Sequence, residues 1–395
     1  MRSTSDPFSP VAKSELANQG TEPIPAEVYH CPKYFELERD AIFKCTWLQL
    51  GHVCELPDDG AFIVVPVEVA KTSILITRVK GGELRAFHNV CPHRGTRLVS
   101  DCAGRATRFT CPYHAWTFAN DGRLLGAPDA DNFYFDVSAS HLPEVAVDVC
   151  GGFIFVNLQR EPAQTLRQFL GDLAPELQKI PHAQATTFSE YTYEVQANWK
   201  LTYDNFQENY HLRFIHPRSG AAAGGPDNPF GYPESYAFSD PHRTQTIWSN
   251  PNPPVKPFQA AAFGALANSI METGGDFGVN TYFGIFPNLF VLGKGMTPFS
   301  QCIMPIAANR TRSIIRLYWS GDDDSAEKRF GREYATALAM DIHSEDRDMI
   351  ERGQQGLESG AISHIHFQSQ EVLCRHLYNQ VDQKVRAYQR ERGDL

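Results

Sequence analysis

The sequence predicts an α+β protein in which an N-terminal all-β module precedes a larger region where helices and strands mix. Three observations carry this. Short β-rich runs separated by Asp-Gly and Gly-Gly turns fill roughly residues 44 to 159. An amphipathic helical stretch then interrupts them, and the last strand-like runs lead into a long helix. At about 100 to 200 residues per domain, a chain of 395 residues allows two or three domains. The expected division is a lead-in and helix over 1–43, the β module over 44–159 and a second domain over 160–395.

Taken in order, Pro32 to Leu48 has a helical pattern, with Phe35, Leu37, Ile42 and Phe43 as apolar anchors among charges. Strands are expected at Ala61–Val67, Ser73–Val79, Leu84–His88, Arg108–Cys111, Trp116–Phe118 and Gly152–Leu158, with turns at Asp59-Gly60, Gly81-Gly82 and Asp121-Gly122. A helix over Thr165 to Ile180, a strand over Tyr191 to Val195 and a helix from Trp199 to about Leu212 follow. Ser219 to Pro257 is loaded with Gly, Pro, Asn and Ser and reads as irregular chain. Strand-like runs at Thr281–Leu292, Ser300–Pro305 and Arg312–Trp319 precede a helix that opens after Asp322-Asp323-Asp324, acids that suit a helix start.

Composition narrows the function. Hydrophobic residues at 42% and charged residues at 21% are ordinary globular values, which excludes wholesale disorder. A net charge of −10 repels a phosphate backbone, so nucleic acid is a poor partner. Apolar stretches such as Ala61 to Ala70 break well short of the ~20 residues a spanning helix needs. The first twenty residues lack a signal-peptide core, and a cytoplasmic location is expected. Nine cysteines are odd in number and too sparse for a secreted disulfide scaffold, which favours reduced thiols.

Cys91-Pro92-His93 and Cys111-Pro112-Tyr113-His114 place one thiolate and one imidazole on each of two loops. A structural zinc finger groups its cysteines and then its histidines, whereas mixed loops suit a cluster with two inequivalent irons. In a Rieske [2Fe–2S] centre, Cys91 and Cys111 would hold one iron and His93 and His114 the other. Mononuclear zinc is the competing reading. Cys31, Cys45, Cys54, Cys102, Cys150, Cys302 and Cys374 lack partners at ligand spacing and read as packing.

The second constellation lies between Asn198 and His216. If Trp199 to Leu212 is one helix, steps of four and three residues put Asp204, Glu208 and His211 on one face. His216 joins His211 on one metal only if the helix ends near Leu212 and the chain turns back before His216-Pro217. Two imidazoles and a carboxylate make the facial triad of non-haem Fe(II) oxygenases. Asp346 has Ile342, His343, Met349 and Ile350 as helical neighbours and faces inward, whereas Asp348 sits among Ser344, Glu345, Glu351 and Arg352. A buried acid needs a partner or a metal, which selects Asp346 as third ligand. His343, like the other histidines outside these groups, is assigned no metal role.

Together, Cys91-x-His93, Cys111-x-x-His114, Asn198-Trp199-Lys200, Asp204-Asn205-x-x-Glu208-x-Tyr210-His211-x4-His216 and Asp346 resemble the Rieske non-haem iron oxygenases, specifically their terminal oxygenase or alpha subunit within the aromatic ring-hydroxylating dioxygenase family. The resemblance implies a Rieske domain, a C-terminal helix-grip (START-like) domain with a curved antiparallel sheet, and a mononuclear Fe(II) held by His211, His216 and Asp346. It implies catalytic roles within the Asp204-Asn205-x-x-Glu208 motif, with Glu208 linking His211 to His114 of the partner subunit in a head-to-tail homotrimer. Many ring-hydroxylating members carry Asp at the position of Glu208, while Glu is familiar among monooxygenases of quaternary amines. A further departure is Ala115, where the family often has Gly.

The implied partners are a reductase, with or without a ferredoxin, drawing electrons from NAD(P)H, together with O2, a small organic substrate and, in some members, a small beta subunit. The expected reaction is hydroxylation of a small aromatic compound, in keeping with aromatic hydrocarbon catabolism; the alternative is oxidative N- or O-demethylation, quaternary amines included. Phe206, Phe263, Phe277, Tyr282, Phe283, Phe286 and Phe290 either line a pocket or form core. A rival reading is a Rieske electron carrier without oxygenase activity, against which the second histidine pair argues.

Overall fold

The computed structural model describes residues 17–216, 225–248, 250, 252, 255–272, 281–293, 297–321 and 325–394. Phe277, Pro217 and Asp322-Asp323-Asp324 lie outside them. The chain divides into two compact units, Arg39–Gln178 and a second that combines the segment up to Glu38 with Lys179–Leu395.

In the first unit, β-branched and aromatic residues fill short strands and close over a core of Phe62, Leu75, Phe87, Phe109, Trp116 and Phe118. The strands form a seven-stranded sheet in the order Leu48–His52, Phe153–Asn157, Glu144–Cys150, Leu84–His88, Thr72–Arg78, Ala61–Val67, Ala103–Arg105. A three-stranded sheet of Arg108–Thr110, Thr117–Ala119 and Leu124–Gly126 stands beside it in the sequence. The expected single helix over Thr165 to Ile180 is two, Leu166–Leu170 and Leu173–Lys179. Gly171 has φ 53° and ends the first helix in a conformation that other residues disfavour. Ala115 also takes a left-handed φ, 57°, in the second Cys/His loop.

The second unit is built on an antiparallel seven-stranded sheet in the order Thr187–Val195, Arg310–Trp319, Phe299–Ala307, Leu289–Leu292, Thr281–Ile285, His242–Thr246, Ser235–Ser239. The expected continuous run Thr281–Leu292 is therefore a hairpin, with Tyr282 opposite Leu292. The chain expected to be irregular between Ser219 and Pro257 contains a second hairpin, in which Ser235–Ser239 pairs with His242–Thr246. The long helix Ala326–Glu358 opens on Ser325, whose hydroxyl accepts from the Lys328 backbone N–H at 3.3 Å. Its buried residues, Gly331, Ala335, His343, Asp346, Ile350, Gln354 and Leu357, fall at steps of three, four or eight residues and form one stripe along the helix. A Cβ at Gly331 would come within 2.9 Å of the Ala262 carbonyl oxygen, so glycine there lets the helix Pro257–Glu272 pack closely.

Trp199–Asp204 is the helix that carries the chain into the site. Asn198 caps it, accepting the Lys200 N–H at 3.0 Å and donating to Ala308 O at 2.7 Å. Lys200 and Glu38, both 0% exposed, pair at 2.5 Å, and Trp199 donates its indole N–H to the other Glu38 oxygen at 2.9 Å. Burial pushes the Glu38 carboxyl up and the Lys200 ammonium down, and each holds the other charged.

Two outcomes are expected. Lys200→Met leaves Glu38 buried with only an indole for company and should cost about 3–5 kcal/mol in denaturant unfolding; a loss below about 1 kcal/mol would show that the pair does not secure this helix. Ala115→Gly removes a left-handed alanine, which costs about 1–2 kcal/mol. It should therefore raise the melting point followed through visible cluster absorption, with the spectrum unchanged.

Candidate active site

The expected helix from Trp199 to Leu212 is broken. It ends at Asp204, continues as a tight turn over Asn205–Gln207, and Glu208 is extended with φ −138° and ψ 155°. A short helix, Leu212–Ile215, follows, with His211 at its start and His216 at its end. Asp204 and Glu208 consequently do not share a face. Asp204 turns into the protein, where Tyr29 Oη donates to it at 3.3 Å and Gln207 Nε2 at 3.2 Å. Burial lifts its carboxyl to about 8, against the pull of Arg243 and Lys200. Asn205 lines the cavity described below, and its Nδ2 is buried without a hydrogen-bond partner.

The break brings the histidines together. His211 Nε2, His216 Nε2 and Asp346 Oδ1 lie within 4.8 Å of one another. Asp346 is 1% exposed and stands 2.7 Å from His216 Nε2 and 3.6 Å from His211 Nε2. Behind each imidazole is a second acid. Glu208 Oε1 receives His211 Nδ1, and Glu345 Oε2 lies 2.8 Å from His216 Nδ1. A carboxylate on each Nδ1 holds the proton there and leaves both Nε2 lone pairs aimed at one point, the arrangement a metal-binding histidine needs. The other Glu208 oxygen accepts the backbone N–H groups of Tyr210 and His211. Two neutral imidazoles and a carboxylate with open space beside them fit a single ferrous ion. Asp348 is exposed and paired with Arg352 at 2.9 Å.

Next to these groups is a cavity of about 260 Å³. Phe206, Phe263 and Tyr282 of the expected aromatic set line it, joined by Phe299 and Ile247, while Phe283, Phe286 and Phe290 are buried elsewhere in the unit. Sequence reasoning missed Glu345 and His343. Glu345 stands beside the inward Asp346, and an acid adjacent to a ligand acid was a signal; His343 shares the buried stripe and could have been found by its three-residue spacing from Asp346.

In the first unit, the two Cys/His loops repeat one design. Gly95 N–H donates to Cys91 O at 2.9 Å and Cys91 N–H to Thr96 O at 2.8 Å; Ala115 N–H donates to Cys111 O at 3.0 Å and Cys111 N–H to Trp116 O at 2.8 Å. Both thiols are buried, the His93 and His114 rings lie 4.6 Å apart, and Nδ1 of each is buried without a partner. Trp116 stacks on His93 at 5.0 Å. Among the described residues, these four do not form a group close enough to surround one ion, in contrast to the His211 group. A thiol pair and an imidazole pair, each drawn one member from either loop, fit the two irons of a Rieske cluster better than one zinc.

Comparison with known proteins finds family matches over both regions that carry these groups. Residues 46–146 match the model for the Rieske [2Fe-2S] domain, and residues 183–387, just over half of the chain, match that for the ring hydroxylating alpha subunit (catalytic domain). A glycine betaine monooxygenase oxygenase subunit of Pseudomonas aeruginosa is 28% identical over 393 residues, covering 91% of this chain and 89% of its own. Its counterpart from Chromohalobacter salexigens is 38% identical over 199 residues, 50% of this chain and 44% of its own length. A crystal structure of the quaternary ammonium Rieske monooxygenase CntA with L-carnitine is 25% identical with a TM-score of 0.73, covering 95% of this chain and 99% of that one. These relatives lend no support to the expected role in aromatic hydrocarbon catabolism. Among the described residues no helix is long and apolar enough to cross a membrane. The chain belongs to the ring-hydroxylating alpha-subunit family and is a Rieske oxygenase with a [2Fe–2S] domain and a mononuclear-iron catalytic domain.

Proposed function

We propose that this chain is the terminal component of a multicomponent oxygenase that inserts oxygen from O2 into a small organic molecule held in the cavity beside His211, His216 and Asp346. The observation that carries this reading is the convergence of two imidazole Nε2 atoms and one buried carboxylate oxygen at the polar end of an otherwise apolar cavity. In this reading His211, His216 and Asp346 hold Fe(II), while Cys91, Cys111, His93 and His114 hold the Rieske cluster. When bound, the cluster supplies single electrons and the ferrous ion activates dioxygen.

The chain's residues do the rest. Asp346 would offset one of the ferrous ion's two positive charges in a low-dielectric site, and its burial limits how far the group can relax. Glu208 fixes the tautomer and angle of His211 and would meet His114 of the partner subunit in a head-to-tail homotrimer. The apolar walls keep bulk water from the reacting carbon. A reductase, alone or with a ferredoxin, would deliver NAD(P)H electrons from the cytoplasm, and Asn205 would contact substrate or dioxygen.

A second reading, monooxygenation at the methyl carbon of a quaternary amine, is favoured by the kinship with the glycine betaine enzymes and by Glu at position 208. Formaldehyde release identifies it; a phenol or cis-diol identifies ring hydroxylation.

Glu208→Gln should keep both metal centres but lower multi-turnover activity about 10- to 100-fold, and normal turnover would rule out its linking role. His216→Ala should reduce iron from about three to about two atoms per chain with an unchanged Rieske spectrum. Retention of all the iron would show that His216 is not a ligand.

A further inference from the structure

Two described lining residues, Asn205 and His343, keep a buried side-chain nitrogen without a hydrogen-bond partner, and that of His343 is an acceptor. His343 sits one turn before Asp346 on the buried stripe of the long helix, is 3% exposed and lines the cavity. Phe206 and Phe299 stack on its ring, with centroids 4.8 and 5.6 Å away. Its Nδ1 lies 2.6 Å from the carbonyl oxygen of Ala339 and 2.5 Å from the Tyr191 hydroxyl. A carbonyl oxygen only accepts, so Nδ1 carries the proton and Nε2 keeps its lone pair. Nε2 is buried with no hydrogen-bond partner, and His343 is not part of the group that can hold an ion. Burial keeps the ring neutral, with its pKa pushed down to about 4.

The rest of the lining sharpens what could meet this nitrogen. The acids Glu208 and Asp346 are engaged by the two iron-site histidines. A fully methylated ammonium has no N–H to offer Nε2.

We propose that His343 is a substrate-recognition residue whose Nε2 accepts a hydrogen bond from an O–H or N–H group. The substrate is accordingly a small molecule that carries such a donor and fits a mainly apolar cavity. A buried acceptor left unpaired is penalised, so a molecule that satisfies it gains over an isostere that does not. Anchored at one end in a cavity of about 260 Å³, such a molecule presents a fixed carbon to the iron site. This inference rests on the oxygenase reading of the same cavity.

The test is binding to the cluster-replete, iron-loaded protein by equilibrium dialysis, anaerobically and without reductant, so that nothing turns over. The probes are two pairs that differ only in the donor, phenol with anisole and indole with 1-methylindole, plus glycine betaine. The donor member of each pair should bind roughly fivefold or more tightly. His343→Phe, which keeps the ring and removes the acceptor, should bring that ratio near one, and His343→Gln, whose amide oxygen accepts, should restore part of it. Equal affinity within both pairs, no binding of any of the four, tighter binding of glycine betaine, or an unchanged preference in His343→Phe overturns the proposal. The unsubstituted protein alone decides the first three, whether or not a variant folds. Oxygen uptake with reductase is measured separately; its absence with every binder would sink the oxygenase reading and leave the donor preference standing.

Discussion

Asp346 is an acid placed in the middle of an apolar helix stripe, and a carboxylate so buried is tolerated only when something positive or strongly polar meets it. Two imidazoles do so here, and each is held by an acid of its own. The layered arrangement, carboxylate to imidazole to carboxylate, determines where the surrounding chain must go. Glu345 can reach His216 because it neighbours Asp346 on the long helix, and Glu208 can reach His211 because the helix before it has stopped. In the proposed reading three donors would share one cation, so the geometry that offsets the buried charge also suits a metal ion.

The sheet and the N-terminal segment serve this arrangement. The Glu38–Lys200 pair and the Asn198 cap fix the helix Trp199–Asp204, so that the break following it falls at one place in the unit. Opposite, the sheet supplies the apolar wall through Phe299, Leu317 and Tyr282, while the long helix supplies Ala335, Ala339 and His343. Small residues on that helix leave the cavity open where larger ones would fill it.

Much of this was legible in the sequence, for identifiable physical reasons. Ala61–Val67 and Leu84–His88 emerge with the expected bounds, since apolar strands bounded by turn residues have few alternatives. The inward turn of Asp346 followed from neighbours at three and four residues. What escaped was structure without a hydrophobic signature. His242–Thr246 is a strand of polar residues, three of them buried, inside a Gly- and Pro-rich stretch. The break at Glu208 was hidden because steps of three and four look the same in an intact helix and in one whose ends fold onto a common point. That His211, His216 and Asp346 converge could be read from residue types and a later proline; the path of the backbone that unites them could not.

That break also explains what the longer side chain at position 208 does. From an extended backbone, the carboxylate reaches forward to the N–H groups of Tyr210 and His211 with one oxygen and to His211 Nδ1 with the other. The first contact satisfies amide groups at the entry to the short helix Leu212–Ile215, which His211 itself does not cap. The second orients the imidazole. One carboxylate therefore ties the fold of the turn to the angle of the ligand, so the ring cannot swing without loosening the helix start. An aspartate, shorter by one methylene, would have to choose between the two from the same backbone, or draw the backbone closer to the ring. The glutamate and the extended conformation are thus a matched pair, and one side chain both closes the turn and holds the His211 ring in place.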